Sequence, residues 1–418
     1  MIDARKMIDG FAELVKTKTA KQTGILYGSQ ILVMVLGLMI APIVTRTLGP
    51  EKYGVLTFVL AIVFFIALFF EFGFFSAGAR LLALSKDKKK DQELIGTLIL
   101  ITSGIGFSFF LALFIFSFFV DSIFHTSVSN VLKAISILAA IIPFQYMLQQ
   151  VCQGVNEIKK MAIANVIPKI WYLVGLLIVV GFLKLNVFIA LVLNLTGIII
   201  VVGLIIISLK PRFDNLRENL SLIWKETKEY GSHVYFGRIA SMGTYNSDKM
   251  LISYFANTTS VGFYSLAMTL TNPMFLLSSS LSTTMFKGFA RKKNIPRKVV
   301  YFNFLYLLAC CLGIVLFGKY IVVLLFSQKF IKVVPILIIL AFANFFRGIT
   351  QPYNRFLNAK GWGKAVKRAA FVLAGSNLVG NLALIPFYGA IGAAYASLFA
   401  LVINYCIYVH YYRRSLNG

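Results

Sequence analysis

Residues 186–217 read NVFIALVLNLTGIIIVVGLIIISLKPRFDNLR, and this stretch decides the fold class. An apolar run from Val187 to Leu209 stops at a cluster holding Lys210, Arg212 and Arg217. A helix rises about 1.5 Å per residue and the hydrocarbon of a bilayer is about 30 Å thick, so about 20 such residues cross it. The backbone polar groups inside can be satisfied only by the helix itself. The run is therefore read as a transmembrane helix, with its basic end among the headgroups.

Working outward, the same alternation fills the chain. Spans are predicted near 22–44, 53–83, 94–120, 131–155, 160–183, 186–209, 231–256, 261–286, 298–318, 331–357, 364–387 and 389–411. The terminal tails and even-numbered loops carry 30 of the 41 basic residues, from Arg5, Lys6, Lys16, Lys18 and Lys21 to Lys287, Arg291, Lys292 and Lys293. Odd-numbered loops hold only Arg46, Lys52, Lys184, Lys319, Lys329 and Lys332. The positive-inside rule then places both termini in the cytoplasm. In the outer loop from Lys319 to Lys332, the apolar run Ile321 to Phe326 is expected to lie along the membrane interface.

Composition leaves little chain for a soluble domain: 418 residues, 59% hydrophobic, mean hydropathy +0.82. A net charge of +26 would suggest nucleic acid in a soluble protein. Here basic loops facing anionic lipid headgroups account for most of it, and no nucleic-acid partner is expected. The first apolar run is long and lacks a small-residue cleavage site, which reads as an uncleaved helix. Cys152, Cys310, Cys311 and Cys406 and His125, His233 and His410 show no metal-site spacing, so neither a disulfide nor a metal is expected.

The chain divides into a six-span lobe (1–210), a basic amphipathic linker (211–230) and a second six-span lobe (231–418). Faint repeats relate the lobes. Thr47-Leu48-Gly49-Pro50-Glu51-Lys52-Tyr53-Gly54 in the first hairpin has a counterpart in Asn257-Thr258-Thr259-Ser260-Val261-Gly262-Phe263-Tyr264. Parallel repeats of this kind place a substrate site between the halves near the midplane. Polar stripes mark the faces that would line it: Gln145, Gln149, Gln153 and Asn156 in span four, and Asn344, Arg347, Gln351, Asn354, Arg355 and Asn358 in span ten. Span seven aligns Arg238, Tyr245 and Lys249 within about 20°. Span five adds Asn165, Lys169 and Tyr172, and span one adds Thr23, Tyr27 and Gln30.

Charges in these spans are few and one-sided. Lys133, Lys169, Arg238, Lys249 and Arg347, with Arg46, Arg80 and Arg355 nearer the ends, face only two acids, Glu71 and Asp248. A charge at the bilayer centre costs roughly 2.5–3.5 kcal/mol, so such residues normally face a wet interior. A cationic lining suits an anionic, phosphate-bearing cargo. The plainer alternatives are snorkelling of Arg80, Arg355 and Lys133 to the headgroups, neutralisation of a cation on another helix by Asp248, and Asn, Gln and Ser as interhelical glue.

The segment Gly28–Arg80, with Gln30, Thr45 to Gly54 and Glu71-Phe72-Gly73, resembles the start of Wzx-type oligosaccharide flippases of the multidrug/oligosaccharidyl-lipid/polysaccharide exporter superfamily. Asp248, Val261-Gly262-Phe263-Tyr264, Asn358 to Gly361 and Asn377 to Ala394, with Asn381, Ile385-Pro386 and Gly389, extend the resemblance over the whole chain. It implies an all-α membrane protein of two six-helix lobes around a central cavity, alternating between inward-open and outward-open states. The implied cargo is an undecaprenyl-pyrophosphate-linked oligosaccharide, moved across the bacterial cytoplasmic membrane for capsule, O-antigen or exopolysaccharide assembly. Arg238, Lys249, Arg347, Lys169, Arg46 and Arg80 would meet the pyrophosphate. Gln30, Gln145, Gln149, Gln153, Asn344 and Gln351 would meet sugars.

Glu71 and Asp248 would serve any H⁺ or Na⁺ coupling; no other cofactor is implied. A polysaccharide polymerase and a chain-length regulator are the implied protein partners. Twelve spans, and Arg46 as the only arginine of the first, argue against a lipid II flippase, which usually has fourteen spans and an early arginine cluster. The alternative within the superfamily is an ion-coupled multidrug or cation antiporter, which depends on intramembrane carboxylates that are scarce here. Short outer loops without paired carboxylates, metal ligands or a nucleotide-binding glycine loop argue against an enzyme.

The charge asymmetry gives a direct test. A reporter fused after Gly418 is expected to behave as cytoplasmic and one inserted at Thr258 as external; the opposite pattern would invert the topology.

Overall fold

The structure is a computed structural model that describes residues 18–285, 288–289 and 292–417. Arg5, Lys6, Lys16, Lys287 and Arg291, and the side chains of Lys18, Lys21, Thr23, His233 and Tyr245, lie outside the described residues.

Every regular element among the described residues is helical: α1 (Lys18–Ala67), α2 (Phe74–Leu84), α3 (Lys88–Ser117), α4 (Val120–Phe124), α5 (Ser129–Ala139), α6 (Ile142–Gly154) and α7 (Ile158–Phe182). They continue with α8 (Val187–Leu209), α9 (Leu216–Glu226), α10 (Ser232–Phe255), α11 (Thr258–Thr284), α12 (Arg297–Phe326), α13 (Val333–Ala359) and α14 (Gly363–Asn417). Eight helical stretches are long and apolar enough to cross a membrane, and two of these, Gly24–Phe70 and Gly363–Leu416, have 47 and 54 residues, enough to cross twice. With α10 and α11, which are more polar, the predicted spans are all accounted for. The chain is a multi-pass, all-α membrane protein.

Several boundaries differ from the sequence reading for identifiable reasons. Spans one and two are two helical arms of α1 that abut with almost no loop, broken at Gly49 (φ 75°), a left-handed conformation that glycine adopts without strain. Pro50 then starts the next helical turn, where its missing N–H costs nothing. Spans eleven and twelve are likewise two arms of α14, separated at Gly389 (φ 53°) where the sequence reading divides them. Span two breaks at Glu71–Gly73, where Phe72 and Gly73 have φ of 50° and 82°. The run Ile321–Phe326, with no breaker before Ser327, continues α12, and Val322 and Phe326 are buried.

Side-chain caps set other ends. Asp87 accepts from the Lys89 N–H (2.9 Å), Asn186 from Ile189 (2.8 Å) and Asn257 from Ser260 (2.8 Å), each meeting a donor that the helix start leaves open. Asp121 accepts from the Val128 and Ser129 N–H groups at 2.7 and 3.1 Å and so folds the turn before α5.

In the first half α1 packs on α7, α7 on α8, α2 on α6 and α3 on both α5 and α6. In the second, α13 packs on α11, α12 and α14, and α10 on α14. Helix α1 crosses between the halves, meeting α10, α11 and α12. One buried cluster therefore runs through both, joining Leu48 and Tyr53 to Phe263, Tyr264, Phe326 and Phe330. Outward-facing residues such as Phe182, Leu204 and Ile207 are exposed, as expected when the surrounding solvent is lipid.

The linker is docked rather than free. The Arg212 N–H donates to Gln92 O (3.0 Å), Lys90 pairs with Glu218 (2.8 Å), and Asn215 donates to Glu93 (3.3 Å). Trp224 stacks on Phe74 with ring centroids 5.7 Å apart. The approach depends on Gly96, where an added Cβ would stand 2.0 Å from Arg212 O. Gly96→Leu is expected to displace the linker at a cost of about 2–3 kcal/mol, read as a lower melting temperature and faster tryptic cleavage after Arg217 and Lys225. Gly104→Leu, at a position with nothing within 4 Å, should change neither.

Candidate functional site

The seam between the halves is closed at two levels. At one end the two repeat motifs meet backbone to backbone: a Cβ on Gly54 would lie 2.3 Å from Thr258 O, and one on Gly262 would lie 2.9 Å from Gly54 Cα. Tyr53 and Phe263 each place a ring edge-on to Phe330, with centroids 6.2 and 6.1 Å away. Arg46 reaches across this end. Its Nε donates to Leu325 O at 2.8 Å and its Nη2 to Leu324 O. Those carbonyls belong to the last turn of α12, which carries partial negative charge and lacks intrahelical partners. Arg46 thus caps a helix on the opposite half.

At the second level Arg238 Nη1 donates to both carboxylate oxygens of Glu71, at 2.5 and 2.6 Å. Arg238 lies about 9 Å along α10 from Ser232. Glu71 is 2% exposed and sits in the break of span two, where the turn aims its side chain at α10. The Ser76 hydroxyl adds a donor at 3.5 Å, and Tyr235 OH donates to Phe69 O at 2.9 Å. Gly73 and Gly231 touch beside the pair. The sequence reading gives the cation to phosphate and the acid to ion coupling; the fold joins them.

Arg80 forms an ion pair with Glu226 at 2.5 Å and lies 4.8 Å from the Tyr230 ring centroid. It ties α2 to the linker rather than facing a shared cavity.

Arg347 does line a cavity. It lies about 20 Å from either end of α13, and its guanidinium carbon is 3.8 Å from the centroid of Phe275. The cavity, of about 200 Å³, lies within the second half between α11, α13 and α14, and Thr350, Gln351, Asn354, Asn404 and Tyr408 contribute its polar wall. The Asn354 side-chain amide donates to Tyr408 OH at 2.7 Å, and Asn404 is anchored to Ala369 O at 2.9 Å. Proline within α13, Pro352, lies in the same turns.

Asp248 sits in a cage of neutral donors. Asn381 Nδ2 donates to one carboxylate oxygen (2.6 Å) and Tyr264 OH to the other (2.7 Å). Ser397 lies 3.2 Å from Tyr264 OH, and Asn377 links Ser397 and Asn381. Asp248 is 3% exposed and forms no salt bridge among the described residues. Neutralising a cation on another helix is therefore the role of Glu71, not of Asp248.

The remaining predicted residues are dispersed. Asn344 is buried and donates to Thr271 Oγ1 (3.0 Å) and Leu340 O (3.1 Å), which makes it interhelical glue. Gln351 joins the Arg347 cavity, whereas Gln30 and Gln153 are exposed and Gln145, Gln149, Lys169 and Lys249 are half-buried. Among the predicted binding residues, only Arg347 and Gln351 line this cavity. Asn404 and Tyr408 join them without being among the residues that the sequence singles out. The signal was present: they are four residues apart on one face of an otherwise apolar span, the same pattern that marked span ten.

A family model described as polysaccharide biosynthesis protein matches residues 19–291. The chain is 24% identical over 197 residues to an uncharacterised membrane protein of Methanocaldococcus jannaschii, covering 45% of this chain and 39% of that protein. It is also 24% identical over 200 residues to a probable low-salt glycan biosynthesis flippase, Agl15, of Haloferax volcanii, covering 45% and 42%. The chain thus spans about two fifths of the length of these curated relatives. Among solved structures, the lipid II flippase MurJ in an inward closed conformation superposes with a TM-score of 0.72 at 18% identity, over 93% of this chain and 87% of that one. An inward-facing MATE multidrug transporter gives 0.69 at 15%, over 91% and 95%. These likenesses establish the fold.

Removing one partner of a buried ion pair strands the other, and Arg238 is partly exposed (23%). Glu71→Gln is therefore expected to lower stability by about 2–3 kcal/mol, somewhat below a fully buried pair, and the swap Glu71→Arg with Arg238→Glu to recover most of it. Thermal unfolding of the detergent-solubilised protein reads this. Additive losses in the double variant would mean that the pair contributes no coupling.

Proposed function

The chain belongs to the polysaccharide biosynthesis protein family, and from that premise we propose that it is a flippase for undecaprenyl-pyrophosphate-linked oligosaccharide repeat units. It works by alternating access in the bacterial cytoplasmic membrane, with both termini cytoplasmic. The observation that carries this reading is the Arg347 cavity: a guanidinium near the middle of α13, walled by hydroxyl and amide groups. A guanidinium fork suits phosphate oxygens, and amides and phenols suit sugar hydroxyls. The polyprenyl tail remains in lipid, as its apolar surface requires.

Transport needs the seam to open on alternate sides while the halves stay nearly rigid. The Gly54–Thr258 contact with the Arg46 cap closes one end, and the Glu71–Arg238 pair lies nearer the other. Arg238 meets Glu71 in this structure, so a phosphate can take Arg238 only when that pair separates. Cargo binding and the pair then compete, which couples occupancy to opening. Two negative charges leaving a negative interior gain up to about 4.6 kcal/mol at 100 mV. Return of a proton or Na⁺ with the empty carrier is assigned to Asp248, whose hydrogen-bond partners are neutral, and not to Glu71. A polysaccharide polymerase and a chain-length regulator would act on the delivered cargo.

In proteoliposomes loaded with a defined lipid-linked glycan, Arg347→Gln is expected to slow flipping roughly 10–100-fold, the loss of one or two charge-assisted hydrogen bonds. Arg347→Lys should recover only part, and Lys292→Gln should be neutral. Flipping should accelerate when the cytoplasmic side is made negative, without ATP. Export of drug cations in exchange for Na⁺ or H⁺, with no glycan movement, would replace this reading with the antiporter.

A further inference from the structure

A second cavity, of about 880 Å³, lies on α14, between its two antiparallel arms. One arm contributes Lys364, Lys367, Arg368, Phe371 and Val372, and the other Val402, Ile403, Cys406, Ile407 and His410. On the first arm the steps of three and four residues put these side chains on one helical face. The cations cluster at the terminus of the span and the apolar residues lie deeper. From Lys364 to Val372 the groove runs about 12 Å along the helix axis. One leaflet of hydrocarbon is about 15 Å deep.

The groove does not belong to the Arg347 site. The inner cavity is lined by Ala370, Leu373, Ala374, Leu401, Asn404 and Tyr408 from the same arms, hence by different faces of both. Phe371, Val372, Ile403 and Cys406 are exposed on the outer face. No carboxylate lines the groove, and among the described residues none of the three cations forms a salt bridge.

We propose that this groove seats one anionic membrane phospholipid, its phosphate held by Lys364, Lys367 and Arg368 and an acyl chain laid along Phe371, Val372 and Ile403. The order of charge then apolar surface matches the order of headgroup then chain at that depth. Three cations without a neighbouring acid favour a net-negative lipid over a zwitterionic one. His410, at the mouth, adds a donor for the glycerol phosphate region. The volume falls in the range of ligand sites, roughly 300–1,000 Å³.

Native mass spectrometry of the full chain, released from nanodiscs of mixed phosphatidylglycerol and phosphatidylcholine, tests this. The wild type is expected to retain one phosphatidylglycerol in preference to phosphatidylcholine. The triple variant Lys364→Gln, Lys367→Gln, Arg368→Gln should retain roughly 100-fold less. Ile403→Trp, which fills the floor and leaves the cations in place, should lose it as well. Lys292→Gln with Lys293→Gln, at a separate basic loop, should retain it as the wild type does. Equal retention by the triple variant, or an equal loss in the Lys292 and Lys293 control, would overturn the site in favour of diffuse attraction. Saturation by undecaprenyl pyrophosphate that phosphatidylglycerol cannot displace would overturn the assignment of the occupant.

Discussion

Hydrocarbon offers no hydrogen bonds, so every backbone group in it must be satisfied within the chain. Much of this architecture follows from that constraint. It makes each span a helix, and it confines irregular backbone to places shielded by protein. The break at Glu71–Gly73 lies against α10, where Tyr235 OH meets the Phe69 carbonyl. The open carbonyls of α12 at Leu324 and Leu325 are met by Arg46. Both of these irregularities lie along the seam between the halves, where relative movement would have to occur.

Charge obeys a related rule. Of the cations and acids expected inside the membrane, Arg238 and Glu71 find each other, Arg347 lies against an aromatic face, and Asp248 is surrounded by hydroxyl and amide donors. Each arrangement lowers the cost of a desolvated charge by a different means. Because the second half holds both the Arg347 cavity and the Asp248 cage, while Glu71 belongs to the first and Arg238 to the second, the polar features are distributed unequally between two otherwise similar bundles.

The fold was legible because hydrophobic length and loop charge are one-dimensional signals. The repeat motifs around Gly54 and Gly262 could be read too, although their mutual contact could not, since it depends on how two distant hairpins come together. Individual site residues were harder. Asn344 and Gln351 belong to one polar stripe seven residues apart, yet one is bonded to Thr271 and the other faces a cavity. The difference is set by which neighbouring helix stands opposite, and sequence periodicity carries no information about that. Arg46 and Arg80 look equivalent as cations near span ends, but one meets backbone carbonyls and the other meets Glu226.

The cap that Arg46 places on α12 has an evolutionary corollary. Its acceptors are main-chain oxygens, which every amino acid supplies, so Leu324 and Leu325 can drift to other lipid-compatible residues without loss of the contact. Arg46 has no such freedom, because lysine cannot span two adjacent carbonyls with a rigid planar fork. Selection on this closure therefore falls on one side of the seam, and descendants of this chain would show an invariant arginine facing a variable partner, with no covariation to betray that the two touch.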